Sequence, residues 1–235
     1  MSLSAHLSLP IDAVLVGRPK PFGPPGRTSA IDKKPVLARC AVTERKLAGD
    51  QQADLRFHGG PEKAVHHYPR DHYAAWLADL PLLGPLLKQP GAFGENVSTT
   101  GMTEAEVCIG DVYRLGSALV QVSQGRQPCW KLNVRFDVPD MALRVQNTGR
   151  TGWYYRVLEP GDVAAGDRIE LQDRPHGDWP LSRLLDVLYH NKLDAASLQE
   201  MARLEPLAES WRKVARRRLD TMEVEDWSRR VATPG

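Results

Sequence analysis

The sequence predicts a mostly β fold with inserted helices, in which a barrel-like core precedes a small helical module. Short segments rich in β-branched and aromatic residues, bounded by Gly, Pro, Asp or Ser, are typical of strands. Helical patterns interrupt these segments without alternating regularly with them, and every apolar pattern after Asp173 has the helical period. We therefore expect a β-rich domain over residues 11–173 and a three-helix domain over residues 178–228.

The strand predictions depend on composition and on the residues at each boundary. The apolar run 11–16 leads into a loop rich in glycine and proline. The other predicted strands are residues 36–43, 111–115, 118–122, 152–158 and 168–171. Gly116-Ser117 separates two of them and predicts a tight hairpin, because glycine accepts the positive φ of such a turn.

Two helices are predicted inside the β-rich domain. The first covers residues 69–80, with Pro69 in its first turn and Pro81 beyond its end. Its apolar residues are spaced i, i+3, i+4, i+7, at Tyr73, Trp76, Leu77 and Leu80. A second short helix, 140–148, ends at Gly149.

The helical module follows a hydrophilic linker at residues 174–178. Its first helix has one apolar stripe, formed by Leu181, Leu184, Leu185 and Leu188. Asp194 and the segment 197–200 match capping patterns for a second helix, and a third contains Leu207, Trp211, Val214 and Arg218. Each helix is too short to be stable alone, so we expect the three to pack on one another or on the β-rich domain.

Charge and cysteine content restrict the function classes. The 31 Lys and Arg and 29 Asp and Glu leave a net charge of +2, too balanced for a protein that binds a nucleic-acid polymer along its length. Three widely spaced cysteines form neither a disulfide framework nor a paired zinc motif, which favours a reducing, cytoplasmic compartment. The first 17 residues predict neither a signal peptide nor a membrane span. His58, His66, His67 and His72 lack an accompanying metal motif and are interpreted as core or surface histidines.

Two glycine-containing loops are candidate binding elements. His58-Gly59-Gly60, followed by Lys63, combines a close backbone approach with basic side chains and could bind an anion. Phe93-Gly94-Glu95-Asn96 places a carboxylate and an amide in a loop that could read the edge of a heterocycle. Taken alone, the first is also an ordinary turn and the second a turn entering a strand.

Cys129 is the candidate reactive thiol. It follows Pro128 at a predicted helix start, where unsatisfied N–H groups and the cations of Arg126 or Lys131 favour the thiolate. Cys40 and Cys108 lie in apolar surroundings and are predicted to be inert core thiols. A buried small residue without chemistry is the alternative interpretation of Cys129.

Six groups of residues, in this order, resemble a MOSC domain, the domain shared by molybdenum-cofactor sulfurases and amidoxime-reducing enzymes. They are Gly49-Asp50; His58-Gly59-Gly60 with Lys63-Ala64-Val65; Phe93-Gly94-Glu95-Asn96; Gly110-Asp111; Arg126 with Pro128-Cys129 and Lys131; and Gly152-Trp153 with Gly161 and Gly166-Asp167. From about Ile11 to Trp227, the chain is similar to the YiiM type of bacterial protein, associated with resistance to N-hydroxylaminopurine, in which a MOSC core precedes a three-helix tail.

The resemblance implies a β-barrel-like domain that binds a pterin-based molybdenum cofactor. Cys129 is then the metal ligand and the catalytic centre, since a thiolate completes a sulfur-rich molybdenum sphere. Basic side chains suit the cofactor's phosphate: Arg56, His58, Lys63 and Arg126. Side chains with mixed donors and acceptors suit the pterin edge: Glu95, Asn96 and Asn133. Gly59, Gly60, Phe93 and Gly94 complete the predicted cofactor loops, and Gln124, Gln127 and Gly125 occupy variable positions around the cysteine that could affect substrate choice.

Three functions follow from this resemblance. The first is a reductase that converts a small N-hydroxylated base or amidoxime to the amine, with the cofactor carrying the chemistry. The second is a sulfur-transfer protein with a persulfide on Cys129. The third is a cofactor carrier without turnover. No GxGxxG fingerprint for flavin or nicotinamide is present, so a reductase would need a separate electron-donor protein, a flavoprotein reductase or similar. No nucleic-acid polymer and no membrane are expected as partners.

Overall fold

The computed structural model describes residues 7–54 and 59–234, and a closed β-barrel forms its centre. The strands of the described residues are β1 Ser8–Val16, β2 Lys20–Pro21, β3 Thr28–Ser29, β4 Lys34–Pro35, β5 Cys40–Val42, β6 Val65–Pro69, β7 Val97–Thr99, β8 Val112–Leu115, β9 Ala118–Gly125, β10 Trp153–Glu159, β11 Gly161–Val163 and β12 Arg168–Asp173. Seven of these form a ring in the order β12-β8-β9-β10-β6-β7-β1, which closes because β1 also pairs with β12. Only β6 and β7 pair in parallel within this ring.

Alternation of side chains explains why these segments line the barrel. In β8 and in the first half of β9, buried residues alternate with partly exposed ones, as expected for strands with one face on the core. Gly116 joins the two strands with φ +60°, and a Cβ there would lie 2.4 Å from the carbonyl oxygen of Asp162. The predicted hairpin is confirmed, because only glycine fits this positive φ and this close approach.

Three short helices of the β-rich domain cover one side of the barrel: α1 His72–Asp79, α2 Lys131–Phe136 and α3 Met141–Thr148. They enclose a second apolar cluster, in which the ring of Tyr68 stacks on that of Phe93 with centroids 3.9 Å apart. Trp76 and Phe136 pack against the same Phe93 ring. This cluster therefore supports the loop that follows Phe93.

Two of the predicted elements differ from the structure. The helix expected from Pro69 begins at His72, because Pro69 is the last residue of β6 and pairs with Thr99. The strand predicted over 36–43 is wrong in part: β4 and β5 are separate, and Leu37 between them is fully exposed. In both cases pairing with distant strands overrides the local pattern.

The strand β6 carries two of the four clustered histidines into the protein interior. His67 is buried, with its ring nitrogens 3.0 Å from the Tyr155 hydroxyl and 2.8 Å from the Thr99 hydroxyl. Burial lowers the pKa of His67 to about 3, so the ring is neutral at neutral pH. Within the described ranges, no group of three or more His, Cys, Asp or Glu side chains could hold a metal ion.

The C-terminal region is helical, as predicted. Its helices are α4 Leu181–Tyr189, α5 Ala195–Arg203, α6 Glu209–Thr221 and the additional short α7 Ser228–Val231. Asp194 caps α5 by accepting a hydrogen bond from the Ser197 backbone N–H at 2.9 Å.

The helices pack directly on the barrel. A Cβ added at Gly125 would lie 3.2 Å from Leu185 and 3.3 Å from Trp211, so β9 approaches α4 and α6 closely at this glycine. The apolar residues of α4, α5 and α6 belong to the same buried cluster as those of the barrel strands. The predicted linker also contacts the barrel, since the Arg174 guanidinium donates to Asp111 at 2.7 Å. The helices and the barrel thus share one hydrophobic core.

None of the helices in the ranges 7–54 and 59–234 is both long and apolar enough to cross a lipid bilayer.

Candidate functional site

An open pocket of about 580 Å³ lies where β9 ends and β10 begins. Six of the predicted site residues line it: Lys63, Phe93, Gly94, Asn96, Arg126 and Cys129. Lys131, predicted to favour the Cys129 thiolate, lines it too, whereas Lys33, His66 and Tyr154 line it without having been predicted to be functional. The pocket therefore collects residues from loops that are distant in sequence around one thiol.

Seven described residues that the sequence analysis assigned to the site lie outside the pocket lining: Gly59, Gly60, Glu95, Gln124, Gly125, Gln127 and Asn133. Gly60, with φ +100°, immediately precedes the short 3-10 turn Pro61–Lys63, which carries Lys63 to the pocket. Arg56 and His58 lie outside the described residues.

Glu95 and Asn96 hold the 91–96 loop in place through their own side chains. The Glu95 carboxylate accepts hydrogen bonds from the backbone N–H groups of Gly91 at 2.5 Å and Phe93 at 3.0 Å. Burial raises the pKa of Glu95, and these two hydrogen bonds oppose that rise. Asn96 donates to the Leu15 carbonyl and accepts from the His66 N–H, each at 3.1 Å. Their polar atoms fix the loop, while Phe93 and Gly94 of the same loop reach the pocket.

Asn133 and Gln124 are likewise directed into the protein. Asn133 accepts from the Ala142 N–H at 2.8 Å and donates to the Val231 carbonyl at 2.8 Å. Gln124 is buried, and its amide contacts the Gly125 carbonyl at 3.4 Å. Neither side chain lines the pocket, although the Oε1 of Gln124 is buried without a hydrogen-bond partner among the described residues.

The charged side chains that line the pocket are basic. Lys33 donates to both oxygens of the buried Asp50, at 2.5 and 2.6 Å, and Asp50 also accepts from the Gly17 N–H at 2.7 Å. Burial lowers the pKa of Lys33, and Asp50 opposes this effect. Burial also lowers the pKa of Lys63, against an opposing contribution from Cys129. Because Asp50 offsets the charge of Lys33, the positive charge of the pocket comes from Lys63, Arg126 and Lys131, in a chain whose net charge is only +2.

His66 presents an unsatisfied acceptor. Its Nδ1 faces the Gly94 carbonyl at 3.2 Å, and because a carbonyl only accepts, Nδ1 carries the proton. Burial, with a smaller contribution from Arg126, places the pKa of His66 well below its usual value, so the ring is neutral. Its Nε2 is buried without a hydrogen-bond partner in the part of the chain that the structure describes. A neutral ring in this tautomer accepts a hydrogen bond at Nε2.

Arg126 presents the matching donor. Its Nη1 is also buried without a hydrogen-bond partner among the described residues. A buried group of this kind that stays unpaired lowers the free energy of unfolding by about 1–3 kcal/mol, and by more when the group is charged. Two residues of one pocket thus have buried polar atoms without a partner in the ranges 7–54 and 59–234, and a ligand in the pocket would satisfy both. The sequence interpretation missed His66 because nothing local distinguishes it from a core histidine.

Cys129 differs from the other two cysteines. It is half-buried at the pocket, just before Trp130 and the first turn of α2, whereas Cys40 and Cys108 are buried. Burial raises the pKa of Cys40, and burial together with Asp111 raises the pKa of Cys108 to about 11. Only Cys129 among these thiols lines the pocket.

Comparison with known proteins agrees with this architecture. Residues 54–170 match the MOSC domain and residues 179–221 match the YiiM-like, 3-alpha helix domain. The chain is 41% identical over 222 residues to Protein YiiM of Escherichia coli, a match that covers 94% of this chain and 97% of that protein. The chain belongs to the YiiM family of MOSC-domain proteins.

A solved structure and a fungal protein extend the comparison. The crystal structure of YiiM from Escherichia coli superposes with a TM-score of 0.81 at 35% identity, covering 97% of this chain and all of the other. A protein of Gibberella moniliformis named "Reductase" is 41% identical over 197 residues, which cover 82% of this chain and 34% of that protein. The match to the YiiM-like helical domain ends at residue 221, so α7 lies beyond it.

Proposed function

We propose that this YiiM-family chain is a molybdenum-cofactor-dependent reductase that removes oxygen from small N-hydroxylated bases or amidoximes. The observation that carries the proposal is the pocket itself, in which the Cys129 thiol lies among basic side chains and beside unsatisfied buried polar atoms. Membership of a family named for the C-terminal domain of molybdenum-cofactor sulfurases supports the cofactor, and the fungal relative named a reductase supports the reaction type.

The residues fit the cofactor chemically. A thiolate is a soft ligand suited to the sulfur-rich surroundings of a molybdenum ion bound to a dithiolene. Lys63 and Arg126, with Lys131 nearby, would neutralise the phosphate. His66 Nε2 can accept a hydrogen bond from a pterin N–H, and Arg126 Nη1 can donate one.

The chain's own contribution is binding and orientation. When bound, the cofactor would supply the two-electron redox chemistry that cleavage of an N–O bond requires. Cys129 would hold the metal, and the 91–96 loop, fixed by Glu95 and Asn96, would form one wall of the pocket. Orientation of the substrate within such a site lowers the barrier by several kcal/mol.

The overall reaction consumes two electrons and two protons per substrate and yields water with the amine, or with the amidine when the substrate is an amidoxime. Since the sequence lacks a flavin or nicotinamide fingerprint, we propose that a separate protein, a flavoprotein or a similar carrier, supplies the electrons. The substrate is a small molecule, and neither a nucleic-acid polymer nor a membrane takes part.

Metal and pterin analysis tests the cofactor assignment. Protein made in a host that synthesises the cofactor should purify with about one molybdenum and one pterin per chain, as a site with a soft ligand and basic surroundings requires. Cyanolysable sulfur should be absent. Protein that is empty of molybdenum under these conditions and carries cyanolysable sulfur on Cys129 would contradict the proposal and support sulfur transfer.

A further inference from the structure

The last described turn of the chain lies directly on the loop that contains Cys129. The backbone carbonyl of Arg230 accepts a hydrogen bond from the Trp130 N–H at 2.8 Å. Its guanidinium Nη1 donates to the carbonyl of Pro128 at 2.7 Å. One residue, about a hundred positions further along the chain, therefore holds the backbone on both sides of Cys129.

The same segment is anchored to the two helices that follow the cysteine. The guanidinium Nη2 of Arg230 donates to the Gln146 side chain of α3 at 2.8 Å. Asn133 of α2 donates to the Val231 carbonyl at 2.8 Å and contacts the Thr233 hydroxyl at 3.2 Å. Residues 228–233, hereafter the strap, thus cross from the cysteine loop to α3.

Cation–π and edge-on aromatic contacts connect the strap to the helical module. The guanidinium of Arg230 lies 5.0 Å from the Trp227 ring centroid, and that of the fully buried Arg218 in α6 lies 5.2 Å from it. Tyr189, the last residue of α4, meets the Trp227 ring edge-on at 5.7 Å. Contacts of this kind fix the strap relative to α4 and α6.

The cysteine loop needs such support. Residues 126–129 belong to neither a helix nor a strand, and α2 has no side-chain hydrogen bond at its N-cap Trp130. The Trp130 N–H is satisfied by Arg230 instead. A metal-binding or catalytic side chain has to be held within about 0.5 Å of its working position, which a loop achieves only through contacts with its surroundings.

We propose that the strap fixes Cys129 in its metal-binding position and that Arg230 is the positioning residue. The proposal rests on the proposed function, in which Cys129 is the ligand. It assigns a role to the end of the chain, beyond the region that matches the YiiM-like helical domain.

Selective alkylation of the cofactor-free protein tests the strap without relying on activity. In Arg230→Ala, the rate of Cys129 modification by iodoacetamide, followed by mass spectrometry of each cysteine, should rise about fivefold or more because the loop opens locally. The buried Cys40 and Cys108 should remain as slow as in the unaltered protein. Arg229→Ala, an exposed residue of the same turn, is the matched control and should change nothing.

Two further variants keep the test decisive. Arg230→Lys retains a charged donor for the Pro128 carbonyl but cannot also bridge to Gln146, so it should restore part of the protection. Gln146→Ala removes the anchor of Arg230 without touching the cysteine loop, and it should also accelerate modification of Cys129 alone. If Arg230→Ala exposes all three cysteines by unfolding, Gln146→Ala decides the question.

Molybdenum content distinguishes an error in the positioning role of the strap from an error in the proposed function. In protein from a cofactor-competent host, Arg230→Ala should lose bound molybdenum faster than the Arg229→Ala control. An unaltered protein that binds no molybdenum would contradict the proposed function, while the alkylation rates would still test the strap. Equal rates of Cys129 alkylation and of molybdenum loss in Arg230→Ala, Gln146→Ala and the control would contradict the proposal that the strap positions Cys129.

Discussion

Replacement of Cys129 by alanine should lower the retention of molybdenum by about a hundredfold or more, because it removes the soft ligand itself. Loss of a residue that only supports a metal ligand lowers metal affinity by about 10–100-fold, so loss of the ligand should have at least that effect. The fold should remain intact, because a small, half-buried side chain contributes little to stability. Metal analysis after gel filtration measures the first effect, and the thermal midpoint measures the second.

Cys40→Ala and Cys108→Ala are the matched controls. Both side chains are buried, so each substitution should lower the free energy of unfolding by about 1–2 kcal/mol and leave the molybdenum content unchanged. An equal loss of molybdenum in all three variants would show that Cys129 is not the ligand.

Removal of the helical module should produce the largest change in stability. A chain that ends at Asp173 would expose the barrel surface covered by Leu185 and Trp211, since these side chains share one core with the strands. An apolar patch of this kind leads to aggregation. We therefore expect the fragment to be insoluble or to lack a cooperative unfolding transition, as measured by sedimentation and by denaturant titration.

Point variants distinguish the loss of apolar packing from the mere shortening of the chain. Trp211→Ala should lower the free energy of unfolding by about 3–5 kcal/mol, because the indole is only 2% exposed. Leu193→Ala, at an exposed position outside the helices, should change it by less than about 0.5 kcal/mol. A soluble 1–173 fragment with a normal cooperative transition would show that the barrel does not need the helices.

Local chemistry accounts for the parts of the fold that the sequence predicts well. The Gly116-Ser117 hairpin follows from the φ that a tight turn requires, and the Asp194 cap follows from a side chain that can accept from a nearby N–H. The strand β6 was missed because two of its buried residues, His66 and His67, are polar. Their burial depends on partners from distant strands, which no local pattern reveals.

The candidate site likewise combines residues that local sequence predicts with residues whose roles depend on distant partners. Cys129, Lys63 and Arg126 are recognisable from residue type and position, and all three line the pocket. Glu95 and Asn133 have the chemistry of ligand-binding residues, yet their polar atoms pair with nearby or distant backbone groups. Whether a polar side chain serves a ligand or the backbone depends on three-dimensional neighbours that lie as far as 98 positions away along the chain.

Single turnover with an N-hydroxylated base tests the proposed reductase most directly. The molybdenum-loaded protein, reduced chemically in place of its electron donor, should convert N-hydroxylaminopurine to the amine or a simple amidoxime to the amidine, with about one product molecule formed per molybdenum. Cys129→Ser should slow this conversion by orders of magnitude. A fully loaded protein whose metal is not reoxidised by any N-hydroxylated base or amidoxime would contradict the reductase and support a cofactor carrier.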